Sequence, residues 1–430
     1  MNVRETPGPP PTPPTDGPIG GSPPPTRRPK GRFSRREERA VTILCAVYAL
    51  RIVGLYMVLP VLSPYAASLR GSTGLLTGLA VGAYGLSQGV FQIPFGSLSD
   101  RIGRKRAIVF GLSLFAIGSA IAGAATTAVA LVLGRLVQGM GAIASVVVAL
   151  AADLTREQVR TQTMARIGVW VGGAFAVGMT VGPFVAGVVG IPSLFWATAV
   201  LSALGAIQLV VAVPEPRRRR QRSDGRRGTS EERLRTGDVR FLLAQRPLLL
   251  LDVGTFLLHL TLTVIFVVLP FVFDAEFGPG RIGRAVVPIV VVGLGAMVLA
   301  ARYTDRTGRS SRVFLVGGAL FLVACIVLAI GGTTGAGAVA GLGVFVLAVA
   351  CLEPTLPALT TRFAVGPHRG AAMGVFHMAQ FLGSFVGGLV GGAALGGSLL
   401  LPFLLLGGLV AVWLLAARSL APWAGPVEDN

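Results

Sequence analysis

The chain has 430 residues, 53% of them hydrophobic and 13% charged, with a formal net charge of +19. Soluble proteins carry about a quarter charged residues, so this composition, with a mean hydropathy of +0.72, excludes a large soluble domain. The positive excess does not signal nucleic acid, because the arginines gather in tails and in loops on one side of the apolar segments.

Residues 1–39 form a Pro-rich tail ending in a basic collar, Arg32 to Arg39. Such a composition predicts a disordered, partly polyproline-like segment. A solvated tail is favoured over an SH3-type ligand. Twelve apolar runs follow, each able to cross a ~30 Å hydrocarbon core. They are predicted as helices over 40–62, 75–98, 107–125, 128–152, 163–189, 193–213, 248–273, 282–303, 313–332, 336–359, 371–396 and 398–418. The first is no cleavable signal peptide, since Arg51 interrupts it and eleven more runs follow. This predicts an all-α membrane protein with an N-terminal six-helix bundle (40–213), a cytoplasmic basic linker (214–247), a C-terminal six-helix bundle (248–418) and a short tail (419–430). Positive loops mark the cytoplasmic side, which places both termini there.

The two halves carry matching short segments about 205–210 residues apart: Leu59-Pro60 with Leu269-Pro270, Leu154-Thr155 with Leu359-Thr360, and Gly168-Val169 with Gly374-Val375. Two repeats entering from the same side predict pseudo-two-fold symmetry about the membrane normal. Cys45, Cys325 and Cys351 fall inside apolar runs without metal spacing and read as small core residues. No metal or cofactor is expected.

Between the second and third runs lies Gly96-Ser-Leu-Ser-Asp100-Arg101-Ile-Gly103-Arg104-Lys105-Arg106, with a weaker copy from Tyr303 to Arg312. Gly96 would let helix 2 approach a neighbour, Gly103 would let the loop turn tightly, and Asp100 could cap the next turn or pair with Arg104. The segment resembles the signature loop of the major facilitator superfamily. The resemblance implies a cytoplasmic latch between the halves in an outward-open state, working partly through an acid at the end of helix 4, here Asp153. Helix 4 carries Gly134-Arg135-Leu-Val-Gln138-Gly139, similar to the family's second motif. Its Arg135, like Arg51 in helix 1, lies at a depth where a charge costs a few kcal/mol and needs a partner or a wet cavity. Two roles stay open for each arginine, proton coupling and hydrogen bonding to backbone carbonyls. Helix 5 carries Gly178-Met-Thr-Val-Gly182-Pro183-Phe-Val-Ala-Gly187. The first two glycines make a face for close helix contact and the proline removes a backbone bond. This resembles the motif of family members that export by proton antiport.

The further stretches Leu50 to Leu62, Tyr84 to Gly96, Asp153 to Gln158, Leu352 to Leu359 and Met373 to Gly383 are similar to the YajR-type branch of the superfamily. That branch can carry a soluble C-terminal domain. The sequence ends at Asn430, so no regulation through such a domain is expected.

The ionisable residues at depth in the second half are Asp252, His259, Glu353 and His377. A histidine or a carboxyl in low dielectric can take up and release a proton near neutral pH, so these are the proton-coupling candidates beside Arg135 and Arg51. A fixed ion pair or a satisfied core histidine is the alternative for each. Tyr56, Gln88, Phe91, Gln92, Gln138, Phe376 and Gln380 are candidate cavity liners or helix glue. The resemblance implies a monomeric transporter moving a small molecule, with protons, across a bilayer. An importer of the same fold and a membrane-embedded sensor or enzyme are the rival readings. No nucleotide loop or catalytic cluster supports the last.

Overall fold

The computed structural model describes residues 33–213, 244–278, 282–364 and 369–420. The Pro-rich tail before them, nearly all of the 214–247 linker and the last ten residues lie outside this set. Among the described residues, twelve helices are long and apolar enough to span a bilayer. They are α1 (Arg35–Ser68), α2 (Gly74–Ile102), α3 (Arg104–Gly123), α4 (Ala128–Asp153), α5 (Arg160–Val189), α6 (Ile191–Ala212), α7 (Arg246–Phe277), α8 (Ile282–Thr307), α9 (Ser310–Gly331), α10 (Gly335–Phe363), α11 (Arg369–Leu395) and α12 (Leu401–Ala417).

Local chemistry sets the starts. Ser34 and Glu37 form a reciprocal capping box on α1, while Thr73, Thr127 and Thr334 cap α2, α4 and α10, satisfying amides that no earlier turn can take. Gly103 and Gly308 end α2 and follow α8 with φ of +97° and +65°. Both repeated loops therefore turn on a residue without Cβ. Helix α1 is longer than expected at both ends. It begins inside the basic collar and runs through Pro60 and Pro64, since neighbouring helices can compensate a proline's lost bond at membrane depth. Helix α4 departs from expectation in another way. It is two pieces, Ala128–Met140 and Ala144–Asp153, broken where Gly139 and Gly141 weaken the ladder.

Within the first half α1 packs on α5 and α6, and α3 on α4 and α6. Within the second, α7 packs on α11, and α9 on α10 and α12. The halves join mainly through α2 with α11, with smaller contacts between α5 and α8 and between α1 and α7. The first two pairs exchange under a six-helix shift, which is the pseudo-symmetry that the short repeats predict. An even number of spans puts the described termini at one end of the bundle, the termini end. The opposite end is here called the far end. Valines and leucines such as Val188, Val211 and Leu404 stay exposed on the outside, the surface expected where lipid is the solvent.

Candidate functional site

Two buried arginines organise the first half. Arg51 on α1 is 2% exposed. Its Nη2 donates to the Tyr84 hydroxyl at 2.8 Å, the Gln88 Oε1 at 3.1 Å and the Gly141 carbonyl at 3.0 Å. That carbonyl sits at the break in α4, so the guanidinium occupies the gap left in the helical ladder. Arg135, 1% exposed, donates from Nε to the Ala80 carbonyl at 3.1 Å and from Nη1 to Gln138 Oε1. Gln138 passes the chain on to Ser119 at 2.8 Å. Tyr84 joins the clusters: its hydroxyl accepts from Arg51, and Arg135 lies 5.0 Å over its ring. Among the described residues, no carboxylate bonds to either arginine.

The cavity between the halves has a volume of about 240 Å³. Tyr56, Phe175, Phe266, Leu269 and Val349 are among its walls, and His259 and Glu353 bring the ionisable groups. Of the predicted liners, Tyr56 takes that place. Gln88, Gln92 and Gln138 do not: they are buried, Gln88 bonds Arg51 and Gln92, and Gln138 bonds Arg135. Phe91 packs against the apolar cluster of the first half, and Phe376 is buried with its ring against His377. Helical rows carry these side chains toward the arginines or the core instead of the void.

Three proton-coupling candidates of the second half meet. His259 Nε2 lies 3.7 Å from Glu353 Oε2 and 2.8 Å from the Gln380 amide nitrogen. His259 Nδ1 lies 3.0 Å from the Thr255 carbonyl. The Gln380 Oε1 lies 3.0 Å from His377 Nδ1. The network joins α7, α10 and α11. His259 is buried while the Glu353 side chain is 40% exposed, so the carboxylate is the member open to the cavity. Asp252 stays apart, seven residues and so about 10 Å earlier along α7. It is buried, and its Oδ1 has no hydrogen-bond partner among the described residues.

The structure brings Arg104 and Asp153 together at 2.8 Å, tying the start of α3 to the end of α4. Asp100 is exposed with no hydrogen bond or ion pair among the described residues, and the N-cap of α3 is Gly103 without a side-chain cap. The expected Asp100 cap or Asp100–Arg104 pair therefore gives way to Arg104–Asp153. Arg101 is exposed. Gly96 has nothing within 4 Å of where a Cβ would stand, so it mediates no close approach here. Helix α5 behaves otherwise. A Cβ on Gly178 would lie 2.9 Å from the Val53 carbonyl, and one on Gly182 would strike the Met57 backbone. Pro183 lies against Gly283 of α8, whereas Gly187 faces open space.

Sequence reasoning missed three features. Glycines of α2 and α11 form a seam: a Cβ on Gly74 would lie 2.6 Å from the Gly392 carbonyl, and one on Gly388 2.6 Å from the Gly78 carbonyl. The four-residue spacing was the available signal. Glu37, inside the basic collar, accepts from the Arg156 amide at 3.0 Å and from its Nε at 2.9 Å; the carboxylate raises the Arg156 guanidinium above its usual pKa through that side-chain bond. Lys105 donates to the last carbonyls of α6, Val210 at 2.8 Å and Val213 at 2.6 Å.

Bundle, repeat and signature loop define a membrane transporter of the two-bundle type. The chain belongs to the Major Facilitator Superfamily, whose model matches residues 44–387 and 251–428. It is 39% identical over 391 residues to the inner membrane transport protein YajR of Escherichia coli K12, covering 89% of this chain and 84% of the relative. It is 26% identical over 298 residues to the class E tetracycline resistance protein of Escherichia coli, covering 67% and 73%. The xylose transporter XylE of E. coli, solved in a partially occluded inward-open conformation, shares the fold at a TM-score of 0.71 and 15% identity, covering 90% of this chain and 98% of that one. The YajR relative and the XylE neighbour are transporters and not enzymes.

Proposed function

We propose that the protein is a proton-driven exporter of small molecules, working by alternating access as a monomer in the bacterial plasma membrane. The observation that carries this is the His259–Glu353 pair, 3.7 Å apart on an otherwise apolar wall between the two halves. A carboxylate open to the cavity and an imidazole behind it can accept a proton from one side and release it to the other. The halves touch at the far end, where Gly74 to Gly89 of α2 meet Phe381 to Gly392 of α11 and Pro183 meets Gly283. Toward the termini end Gly168, Gly172 and Gly173 of α5 face open space. With the termini in the cytoplasm, as the arginine asymmetry supports, this is an inward-facing state.

Export is supported by the Gly178, Gly182, Pro183 arrangement and by the similarity to a tetracycline resistance protein. In the cycle, protonation of the pair from outside releases substrate and favours closure, and deprotonation inside resets the cavity. Everted vesicles should show a substrate-induced proton leak that Glu353→Gln abolishes. Unchanged coupling in that variant removes Glu353 from the mechanism.

A further inference from the structure

Gln380 stands between two imidazoles. Its amide nitrogen faces His259 Nε2 at 2.8 Å and its Oε1 faces His377 Nδ1 at 3.0 Å. A primary amide offers hydrogen-bond donors at one end and an acceptor at the other. Whichever way the amide is turned, the ring nitrogens it bridges must make opposite demands: one must donate and the other accept.

Beyond Gln380, His259 meets Glu353 Oε2 at 3.7 Å through Nε2 and, through Nδ1, the Thr255 hydroxyl at 3.5 Å and, more closely, the Thr255 carbonyl, which fixes what this means for protons. Its Nδ1 faces the Thr255 carbonyl at 3.0 Å. A carbonyl only accepts, so Nδ1 carries a hydrogen. Nε2 of neutral His259 is then a bare acceptor, which the Gln380 amide N–H fills. Oε1 is left to receive a hydrogen from His377 Nδ1. Adding a proton to His259 Nε2 makes that atom a donor. The amide must then turn, presenting its oxygen to His259 and its N–H to His377. That requires His377 Nδ1 to be bare, hence His377 neutral with its hydrogen on Nε2. Two imidazolium rings would set an N–H against the amide N–H at one end or the other.

We infer that Gln380 is a positioning residue that holds His259 and His377 to at most one proton charge between them. A proton held by one ring keeps the other neutral, because the amide can turn its oxygen to only one donor ring. This inference rests on the reading that the His259–Glu353 pair handles the coupled proton, and it extends that site from α7 and α10 to α11. Other charged or titratable groups around it are few. Helix α7 adds Asp252, α10 adds Glu353 with Arg362 toward its end, and α1 adds Tyr56 on the cavity wall. Helix α2 has its Tyr84 hydroxyl on Arg51 and its Asp100 and Arg101 at the termini end. Helix α12 contains no titratable residue. The next residue, Phe381, abuts Gly85 of α2, where a Cβ would lie 2.8 Å from the Phe381 carbonyl. The relay thus adjoins the seam that must open when the halves rock.

The test is nitrogen NMR of full-length protein labelled with 15N-histidine in lipid nanodiscs, titrated without substrate. The chain has three histidines; the third, His368, lies outside the described residues, and its signal is assigned with a His368→Gln variant. In the wild type the second of the two bridged rings should bind its proton at least about tenfold more weakly than the first. His377 should show the Nε2–H tautomer wherever His259 is cationic. Gln380→Glu, whose carboxylate accepts from both rings, should let both become cationic in one pH interval. Gln380→Leu should uncouple them. Two cationic rings at one pH in the wild type, or His377 in its Nδ1–H form beside cationic His259, would overturn the inference. So would a separation unchanged in Gln380→Glu. Because this titration involves no flux, it can fail or succeed independently of the Glu353→Gln vesicle assay.

Discussion

Arg51 donates to the carbonyl of Gly141 at 3.0 Å, the point at which α4 loses its helical ladder. Two magnitudes oppose each other at this site. Placing a charged side chain at membrane depth costs about 2.5–3.5 kcal/mol on insertion scales, whereas each hydrogen bond to a charged group contributes about 1.5–3 kcal/mol. Nη2 has two hydrogens for its three acceptors, and two such bonds are enough to offset the cost. Arg51→Met should therefore destabilise the protein by about 2–4 kcal/mol, leaving the Gly141 carbonyl, Tyr84 and Gln88 without this donor. Arg51→Lys keeps the buried charge but ends one bond short of the same acceptors, and should destabilise at least as much. Thermal unfolding in one detergent decides this; a Met variant as stable as the wild type would refute the account.

The α2–α11 seam predicts a conformational variant. Gly388 packs where a Cβ would lie 2.6 Å from the Gly78 carbonyl and 2.8 Å from the Gly82 Cα. Backbone cannot yield by that much without the helices parting. Gly388→Val should wedge the far end open while leaving the twelve helices folded. Spin labels at positions 75 and 398, one on each half at that end, should move apart by several ångströms while circular dichroism stays unchanged. An unaltered distance would show that the seam does not hold the far end closed.

How much of this could be seen in the chain follows from the kind of signal involved. The twelve spans are a matter of length and apolarity, which single segments carry alone. His259, Glu353 and His377 stand out because ionisable residues are rare at membrane depth. Their linkage through His259 and Gln380 was not legible, since it depends on how α7, α10 and α11 are rotated against one another. The rotation of α2 and α4 likewise takes Gln88 and Gln138 to arginines and not to the cavity. The Gly74, Gly78, Gly82 spacing was readable as a packing face, but its partner on the other half was not. Glu37 was hidden by the arginines around it, although Ser34 three residues earlier forms a capping pattern with it.

The Arg104–Asp153 pair is partly exposed, its side chains at 25% and 42%. Pairs in such settings contribute about 0–1 kcal/mol, so stability is not the reason to expect an effect from breaking it. Arg104→Ala should shift the unfolding midpoint little but slow transport severalfold if the pair steers the loop between conformations. The charge-reversed double variant, Arg104→Asp with Asp153→Arg, should recover part of the rate. Full transport in Arg104→Ala would reduce the pair to a topological feature.

The Glu37–Arg156 contact predicts where the first half is fastened at the termini end. Glu37 is buried and accepts from both the amide and the guanidinium of Arg156, at 3.0 and 2.9 Å, while also closing the cap on α1 through Ser34. One carboxylate thus anchors the loop between α4 and α5 to the first turn of α1. Charge-assisted bonds are stronger than neutral ones, and loop amides exchange through local opening. Glu37→Ala should make the amides of residues 154–159 exchange roughly tenfold faster, with the membrane spans unchanged. Glu38→Ala, which removes only a 3.5 Å contact to Arg166, should do so far less. Equal exchange in the two variants would mean that the loop is held by its own 3-10 turn at Glu157–Val159, and that the carboxylate serves α1 alone.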